Sequence, residues 1–452
     1  MGRRDLGPAL NHTRGRPGVR GFTVDIILQV ALDFLNLSQA LRVAREAAAG
    51  GADWLEAGTP LIKSEGLDAV RQLRQEFPST PIVADLKTMD AGRLELEAAA
   101  KAGANIVVVL GLASDATLQE CIKAGQNYGV QVAVDLLGCP DPVARARAAA
   151  DWGAALVGLH TPIDEQMRGG GAFDPVRRVA EAVAIPVAVA GGINSETAPL
   201  AIQAGARIVI VGGAITKSPD ARGATAALKE TLRTGKAIRT DLFRRAGAEG
   251  VRGILEKVST ANISDGNHRL PGLVGLRPVW PGARMVGTAL TVRTAPGDWA
   301  KPVEAIDKAE PGQIIVVDAG GRPPAVWGEL ATESCVKKNL AGIAVDGAVR
   351  DTPCIVELRF PCFARCVSAA AGEPKGYGEI GSTIRIEGLE INTGDWVVGD
   401  DDGLIVIPRA QAVEMANRAM DCLERENRIR GEIRAEHTTL AQVLELLRWE
   451  KK

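Results

Sequence analysis

The chain has 452 residues, a formal net charge of -2 and only 4% aromatic residues. That length exceeds what one core normally supports, so two domains are expected, and the near-neutral charge argues against a dedicated nucleic-acid binder. Seven cysteines without framework spacing fit a reducing, cytoplasmic setting, four scattered histidines leave no zinc pattern, and no apolar run reaches the ~20 residues that span a membrane. Residues 1–22 carry Arg3, Arg4, Arg14, Arg16 and Arg20 among Gly and Pro. Lacking an apolar segment, they read as a disordered basic extension rather than a secretory signal.

From Val24, β-branched runs alternate with Ala-rich helical stretches. Strands are predicted over 26–32, 54–57, 82–86, 106–110, 131–136, 155–159, 187–190 and 208–211. Signals such as Ala102-Gly103-Ala104 and Trp152-Gly153-Ala154 supply left-handed helix ends that turn the chain into the next strand. Eight such units over roughly 210 residues predict a (β/α)8 barrel, usually about 250 residues long, ahead of an open doubly wound sheet.

A barrel carries its active site at the C-terminal ends of its strands. Asp33, Glu56, Asp85 with Lys87, Asp135 and His160 stand at those ends on strands one, two, three, five and six. In Asp85-Leu86-Lys87-Thr88-Met89-Asp90, strand alternation brings Asp85 and Lys87 to one side, with Asp90 just beyond. Carboxylates around one ammonium keep it charged, which suits a reaction that builds negative charge on a substrate oxygen. The pairs Gly191-Gly192 and Gly212-Gly213 follow strands seven and eight, where backbone N–H groups at helix starts receive a phosphate. A surface ion-pair cluster is the bland alternative for any one of these residues, and their convergence on one mouth argues against it.

Leu32-Asp33, Glu56-Ala57-Gly58-Thr59-Pro60, the Asp85–Asp90 motif and the glycine pairs resemble the orotidine-monophosphate-decarboxylase superfamily. Ala84 to Gly92, and His160-Thr161-Pro162-Ile163-Asp164-Glu165-Gln166, most resemble 3-hexulose-6-phosphate synthase within it, over about residues 23–235. The resemblance implies an aldol joining of formaldehyde to ribulose 5-phosphate, or its reverse, with Mg2+ or Mn2+ on Glu56 and Asp85. It makes Lys87 a stabiliser of the enediolate and His160 the acid/base, with Asp33 and Asp135 ordering water, Lys87 and substrate hydroxyls. In that superfamily the last Asp of the motif reaches a neighbouring subunit's site, so Asp90 implies a dimer. The related 3-keto-L-gulonate-6-phosphate decarboxylase shares metal, Lys and phosphate site, and Thr161-Pro162 looks less like it.

After a helix that closes the barrel, 236–240 forms a flexible linker and the β/α rhythm stops. The second domain, 241–452, is predicted to open with a helix over 243–258. Strands follow at 289–293, 314–318, 342–345, 396–398 and 404–407, and a charged helical stretch begins at Ala410. Its chemical signal is Gly328-Glu329-Leu330-Ala331 with Arg350-Asp351. A helix start and an Arg fork suit a carboxylate, and Asp351 offers an oxygen to a divalent metal, which would stabilise the enolate of a 2-oxo acid.

That spacing, with Gly287 to Val292 and Gly399-Asp400-Asp401-Asp402-Gly403, resembles the family of regulator of ribonuclease activity A and 4-hydroxy-4-methyl-2-oxoglutarate aldolase. The resemblance implies an α/β domain of the swivelling β/β/α type. Gly328, Glu329, Leu330, Ala331 and Arg350 would bind the 2-oxo acid, and Asp351 would hold Mg2+ or Mn2+. The alternative is a non-catalytic domain that binds or regulates a ribonuclease. A dimeric barrel and a trimeric second domain together imply a homohexamer.

Overall fold

A computed structural model of the chain describes residues 26–168, 173–436 and 438–446, and the basic segment 1–22 lies outside the described residues. The described residues group into two compact units, 26–166 with 173–244 and 427–446, and 167–168 with 245–426.

In the first unit, eight parallel strands close into a barrel: β1 (Ile27–Leu32), β2 (Trp54–Ala57), β3 (Ile82–Thr88), β4 (Ile106–Leu110), β5 (Gln131–Asp135), β6 (Leu156–His160), β7 (Val187–Ala190) and β8 (Ile208–Val211). β8 pairs with β1, so no edge is left. Successive residues of a strand face alternately inward and outward. Trp54, Val83, Ile106, Ala133, Leu156, Ala188 and Ile208 build the apolar floor of the interior. Two positions further along their strands stand Glu56, Asp85 and Asp135, so one alternation lays down both the floor and the charged layer above it. The outward residues pack against the helices in a larger core. Gly103 and Gly153 end their helices in the left-handed region, at φ 103° and 98°, as their Ala-Gly signals predict.

Residues 427–446, expected with the second half, belong to the barrel unit. The cause is polar bonding to the first barrel helix, Leu37–Ala49: the Arg428 guanidinium donates to Glu46 at 2.6 and 3.0 Å and to the Ser218 carbonyl at 3.0 Å. Gln39 Nε2 likewise donates to the Val443 carbonyl at 2.7 Å.

The linker expectation is corrected as well. The helix Ala221–Thr234 ends at Gly235, but residues 236–244 are strapped to the loop after β7. Ile238 N–H donates to the Ser195 carbonyl at 3.2 Å, Ser195 Oγ to the Ile238 carbonyl at 2.8 Å, and Thr240 N–H to Glu196 at 2.9 Å. Asn194 Nδ2 donates to the carbonyls of Leu242 and Phe243 at 3.3 and 3.4 Å. Phe243 lies at φ 54°, which rules out a helix starting there. Helix appears only over Val251–Leu255, after a 3-10 turn at Ala248–Gly250.

The second unit is built on a sheet ordered β19-β18-β10-β11-β13-β14-β9. Its strands are β9 (Arg277–Pro278), β10 (Met285–Arg293), β11 (Ile314–Asp318), β12 (Ala325–Trp327), β13 (Gly342–Val349), β14 (Cys362–Val367), β15 (Glu379–Ile380), β16 (Ile384–Ile386), β17 (Leu389–Ile391), β18 (Trp396–Asp400) and β19 (Gly403–Ile407). β10, β11, β13 and β14 are parallel, and β18, β19 and β9 run antiparallel to their neighbours. Five of these strands answer the prediction, while β9, β12 and β14 to β17 do not appear in it. The long helix runs Ala412–Glu436 after a 3-10 turn at Arg409–Gln411. All seven cysteines are free, and among the described residues no helix is long and apolar enough to cross a membrane.

Candidate active site

The barrel mouth opens into a cavity of about 460 Å³ lined by Asp33, Glu56, Asp85, Lys87, Asp135, His160 and both glycine pairs. Sequence alternation alone does not produce its central contact. β3 slips register against β4 between Ala84 and Thr88, and Lys87 takes a left-handed conformation at φ 49°. A bulge of this kind re-aims a side chain, and here it swings the ammonium across the mouth. Lys87 Nζ lies 3.0 Å from Asp85 and 2.8 Å from Asp135. The second carboxylate is therefore Asp135 of β5, not Asp90. Asp90 is exposed, does not line the cavity, and accepts the Ala91 N–H at 2.7 Å.

The electrostatics follow from burial and proximity. Burial works against the Lys87 charge, but Asp85 and Asp135 outweigh it and raise the pKa. Burial, reinforced by the Asp85 carboxylate, raises Asp33 to about 6. Asp33 has surface open to the cavity yet is ringed by protein, so enclosure governs its charge more than contact with cavity water does. Burial also raises Glu56 well above the usual range, with Asp85 and Asp33 adding repulsion and the Gln29 amide opposing it. His160 is lowered, chiefly by burial.

Glu56 and Asp85 are both buried, and Asp33 stands close enough to repel them. That acidic excess fits a hard divalent cation, which prefers carboxylate oxygens and keeps several waters. Among the described residues, the group of three ligand-type side chains within 4.8 Å of one another is Asp265, Cys422 and Glu426 of the second unit. At the barrel mouth, Glu56 and Asp85 would thus share a cation with non-protein oxygens.

The glycine pairs differ from expectation in one respect. Gly213 opens a short helix, Gly213–Thr216, but the helix after β7 begins only at Ala198, so Gly191-Gly192 is a turn and not a helix start. Both glycines there have positive φ, 96° and 71°, and a Cβ on Gly191 would lie 2.4 Å from the Thr161 carbonyl. Thr59 and Gln166, which stand in the motifs that carry the resemblance but were given no role there, also line the cavity, as do Lys217 and Phe243, which the sequence pattern did not point to. The Thr59 hydroxyl donates to Asp85 at 2.7 Å. Gln166 is 4% exposed, and its Nε2 donates to the Thr161 carbonyl at 2.7 Å. Its Oε1 lies buried beside Gly192 without a protein partner. An orphaned buried acceptor facing a cavity suits a ligand hydroxyl.

In the second unit, β12 pairs beside β13, with Trp327 opposite Val349. This brings Gly328 and Arg350-Asp351 together at one end of the sheet. Glu329 N–H, at the start of the helix Glu329–Lys337, donates to Asp351 Oδ2 at 3.3 Å, and Arg350 Nε lies 3.5 Å from the same oxygen. A Cβ on Gly328 would meet that carboxylate at 2.5 Å, so glycine permits the approach. Leu330 is 81% exposed, and Ala331 packs partly against the core. The predicted residues converge, with Asp351 occupying the helix start proposed for a substrate carboxylate.

Residues 27–228 match the family model described as Orotidine 5'-phosphate decarboxylase / HUMPS family, and residues 260–406 match RraA-like: Aldolase/RraA. The 3-hexulose-6-phosphate synthase of Mycobacterium gastri is 39% identical over 205 residues, 45% of this chain and 99% of that protein. The 3-hexulose-6-phosphate synthase of Bacillus subtilis is 34% identical over 209 residues, 46% of this chain and 99% of that protein. A crystal structure of a 3-hexulose-6-phosphate synthase is 40% identical, covering 45% of this chain and 99% of that one with a TM-score of 0.44. Through its barrel the chain belongs to the orotidine 5'-phosphate decarboxylase / HUMPS family, joined here to an RraA-like domain.

Proposed function

We propose that the barrel catalyses the aldol addition of ribulose 5-phosphate to formaldehyde, giving 3-hexulose 6-phosphate, or the reverse cleavage. The observation that carries this reading is Lys87, fixed as a cation between Asp85 and Asp135 above an apolar floor, with His160 at the same mouth. The sugar's phosphate sits against Gly191-Gly192 and Gly212-Gly213, and a hydroxyl donates to Gln166 Oε1. Neutral His160, its pKa lowered by burial, takes the C1 proton. The Lys87 ammonium stabilises the enediolate oxygen that results, without reorganising. The nucleophilic C1 then bonds to the formaldehyde carbon, and the new alkoxide regains a proton from His160. Glu56 and Asp85 would hold Mg2+ or Mn2+, which when bound supplies positive charge to the substrate oxygens.

For the second unit we infer a divalent cation at Asp351 and a 2-oxo acid against Gly328 to Ala331 and Arg350, in an aldolase or decarboxylase reaction. The juxtaposition of Glu329, Arg350 and Asp351 supports this over a purely ribonuclease-regulating domain. The decisive barrel assay incubates the intact chain with ribulose 5-phosphate, formaldehyde and Mg2+ and follows hexulose phosphate. Absence of product, with carbon dioxide released instead from 3-keto-L-gulonate 6-phosphate, would move the assignment to the decarboxylase.

A further inference from the structure

We propose that the segment joining the two halves, residues 236–244, is a wall of the barrel's substrate cavity, with Phe243 closing its phosphate end and positioning Lys217 there as a binding cation. This rests on the sugar-phosphate reading of the barrel. The family match ends at residue 228, so the wall lies outside the matched region.

Phe243 is 7% exposed and lines the cavity together with Lys217 and the two glycine pairs. Its ring lies against Gly213 so closely that a Cβ there would stand 2.3 Å from the ring carbon Cε2. Gly213 thus admits the aromatic wall as well as a ligand. Lys217, the residue that ends the same short helix, holds its Nζ 5.5 Å from the Phe243 ring centroid. A cation over an aromatic face is attracted by the ring's quadrupole, which helps to hold the ammonium at that end of the cavity.

The anchors of the segment belong to the loop that carries the other glycine pair. Asn194, Ser195 and Glu196 follow Gly191-Gly192 after one residue, Ile193, and they hold Leu242, Phe243, Ile238 and Thr240 through the hydrogen bonds described above. Arg244 pairs with Glu196 at the far end. Asn194 and Ser195 are themselves buried. One loop therefore fixes both a glycine turn for the phosphate and the segment that covers it. An apolar wall beside an anion excludes water and strengthens the pull of a nearby ammonium.

The test uses the intact chain, with calorimetric binding of ribulose 5-phosphate and of inorganic phosphate beside steady-state kinetics. Phe243→Ala should weaken both ligands about tenfold and raise KM by the same factor, with a smaller change in kcat. Lys217→Met should weaken them at least as much. Phe243→Leu keeps the apolar volume without the aromatic face, and an expected loss of roughly threefold carries the test if the alanine variant does not fold. Unchanged affinities and KM in folded Phe243 variants would overturn the wall while leaving the aldol reading in place. A chain that binds phosphate but forms no hexulose phosphate would overturn the aldol reading, and the variants' phosphate affinities would still judge the wall. Failure of the intact chain to bind either ligand would overturn both.

Discussion

Replacing Lys87 by Ala and by Gly separates its chemical role from its backbone role. Both changes remove the ammonium that lies 3.0 Å from Asp85 and 2.8 Å from Asp135. Stranding a buried charge by breaking its pair costs ~3–5 kcal/mol. Here Asp85 retains the Thr59 hydroxyl at 2.7 Å, Asp135 retains the Leu137 N–H at 3.0 Å, and the Lys87 side chain is 22% exposed. The loss therefore falls at the low end, about 3 kcal/mol. The two variants should differ because Lys87 sits at φ 49°. Glycine occupies that region without strain, whereas alanine pays roughly 1 kcal/mol, so Lys87→Gly should be the more stable by about that amount. Both should lose ~10²–10³ in kcat, the usual cost of one preorganised electrostatic donor, with a smaller change in KM because the charge acts on the enediolate. Thermal unfolding and steady-state kinetics of the pair measure both effects. An alanine variant as stable as the glycine variant would refute the left-handed bulge, and a kcat loss below about tenfold would refute the electrostatic role.

Chelation with EDTA should abolish hexulose phosphate formation, and Glu56→Gln should weaken calorimetric Mg2+ binding by at least about tenfold; activity that survives both would exclude the metal assignment. Burial lowers the pKa of His160 from its ordinary 6.5, so activity should fall as pH drops through a value below that. The unfolded chain takes up this proton first, so the stability contributed by neutral His160 is present above pH 6.5 and is lost below it. His160→Asn should slow solvent exchange of the C1 proton, and unchanged exchange would pass the base role to a carboxylate; Asp33→Asn serves as the control, because Asp33 titrates at about 6. In the second unit, Asp351→Asn should remove metal-dependent oxalate binding from the intact chain, and wild-type protein that shows no such binding would favour a regulatory domain. Light scattering should give a mass near six protomers, as a two-fold and a three-fold interface combine, with Met89→Asp or Leu94→Glu reducing it at the exposed patch beside Asp90. A monomeric wild-type chain would reject both interfaces.

The barrel was legible because most strands are short β-branched runs, several of them preceded by helix-ending glycines, and because alternation along those runs carries the charged residues to one mouth. The contact of Lys87 with Asp135 was legible only through the family resemblance, which has Asp135 ordering Lys87, and not from the strand pattern. Asp135 lies 48 residues away, and only closure of the barrel and the bulge before Thr88 bring the two together. Alternation paired Lys87 with Asp85 and left Asp90 just beyond the strand, since it sees neighbours along the chain and not across the axis. The Gly and Lys between 234 and 240 suggested slack, yet the anchoring side chains lie at Asn194, Ser195 and Glu196, too distant for any local pattern. The apolar spacing over 243–258 suggested one helix, but Phe243 is left-handed and Gly247, Gly250 and Gly253 weaken the rest. In the second half, β9, β12 and β15 to β17 are only two or three residues long, below the length at which periodicity declares itself. β14, Cys362-Phe363-Ala364-Arg365-Cys366-Val367, has one β-branched residue and no clean alternation.

The bonding of Arg428 to Glu46 and Ser218 has a temporal consequence during synthesis. The eight barrel strands are all in place by residue 211, but this part of the unit's polar framework is encoded beyond the whole of the second sheet. At ~5–20 residues per second, the barrel spends on the order of ten to forty seconds on the ribosome after its last strand before these partners emerge. Through that interval the Leu37–Ala49 helix presents Glu46 without its guanidinium. The first half of this chain is thus translated early and finished late, and a stalled or prematurely released product carries a barrel whose strands have all been made but whose outer bracing has not.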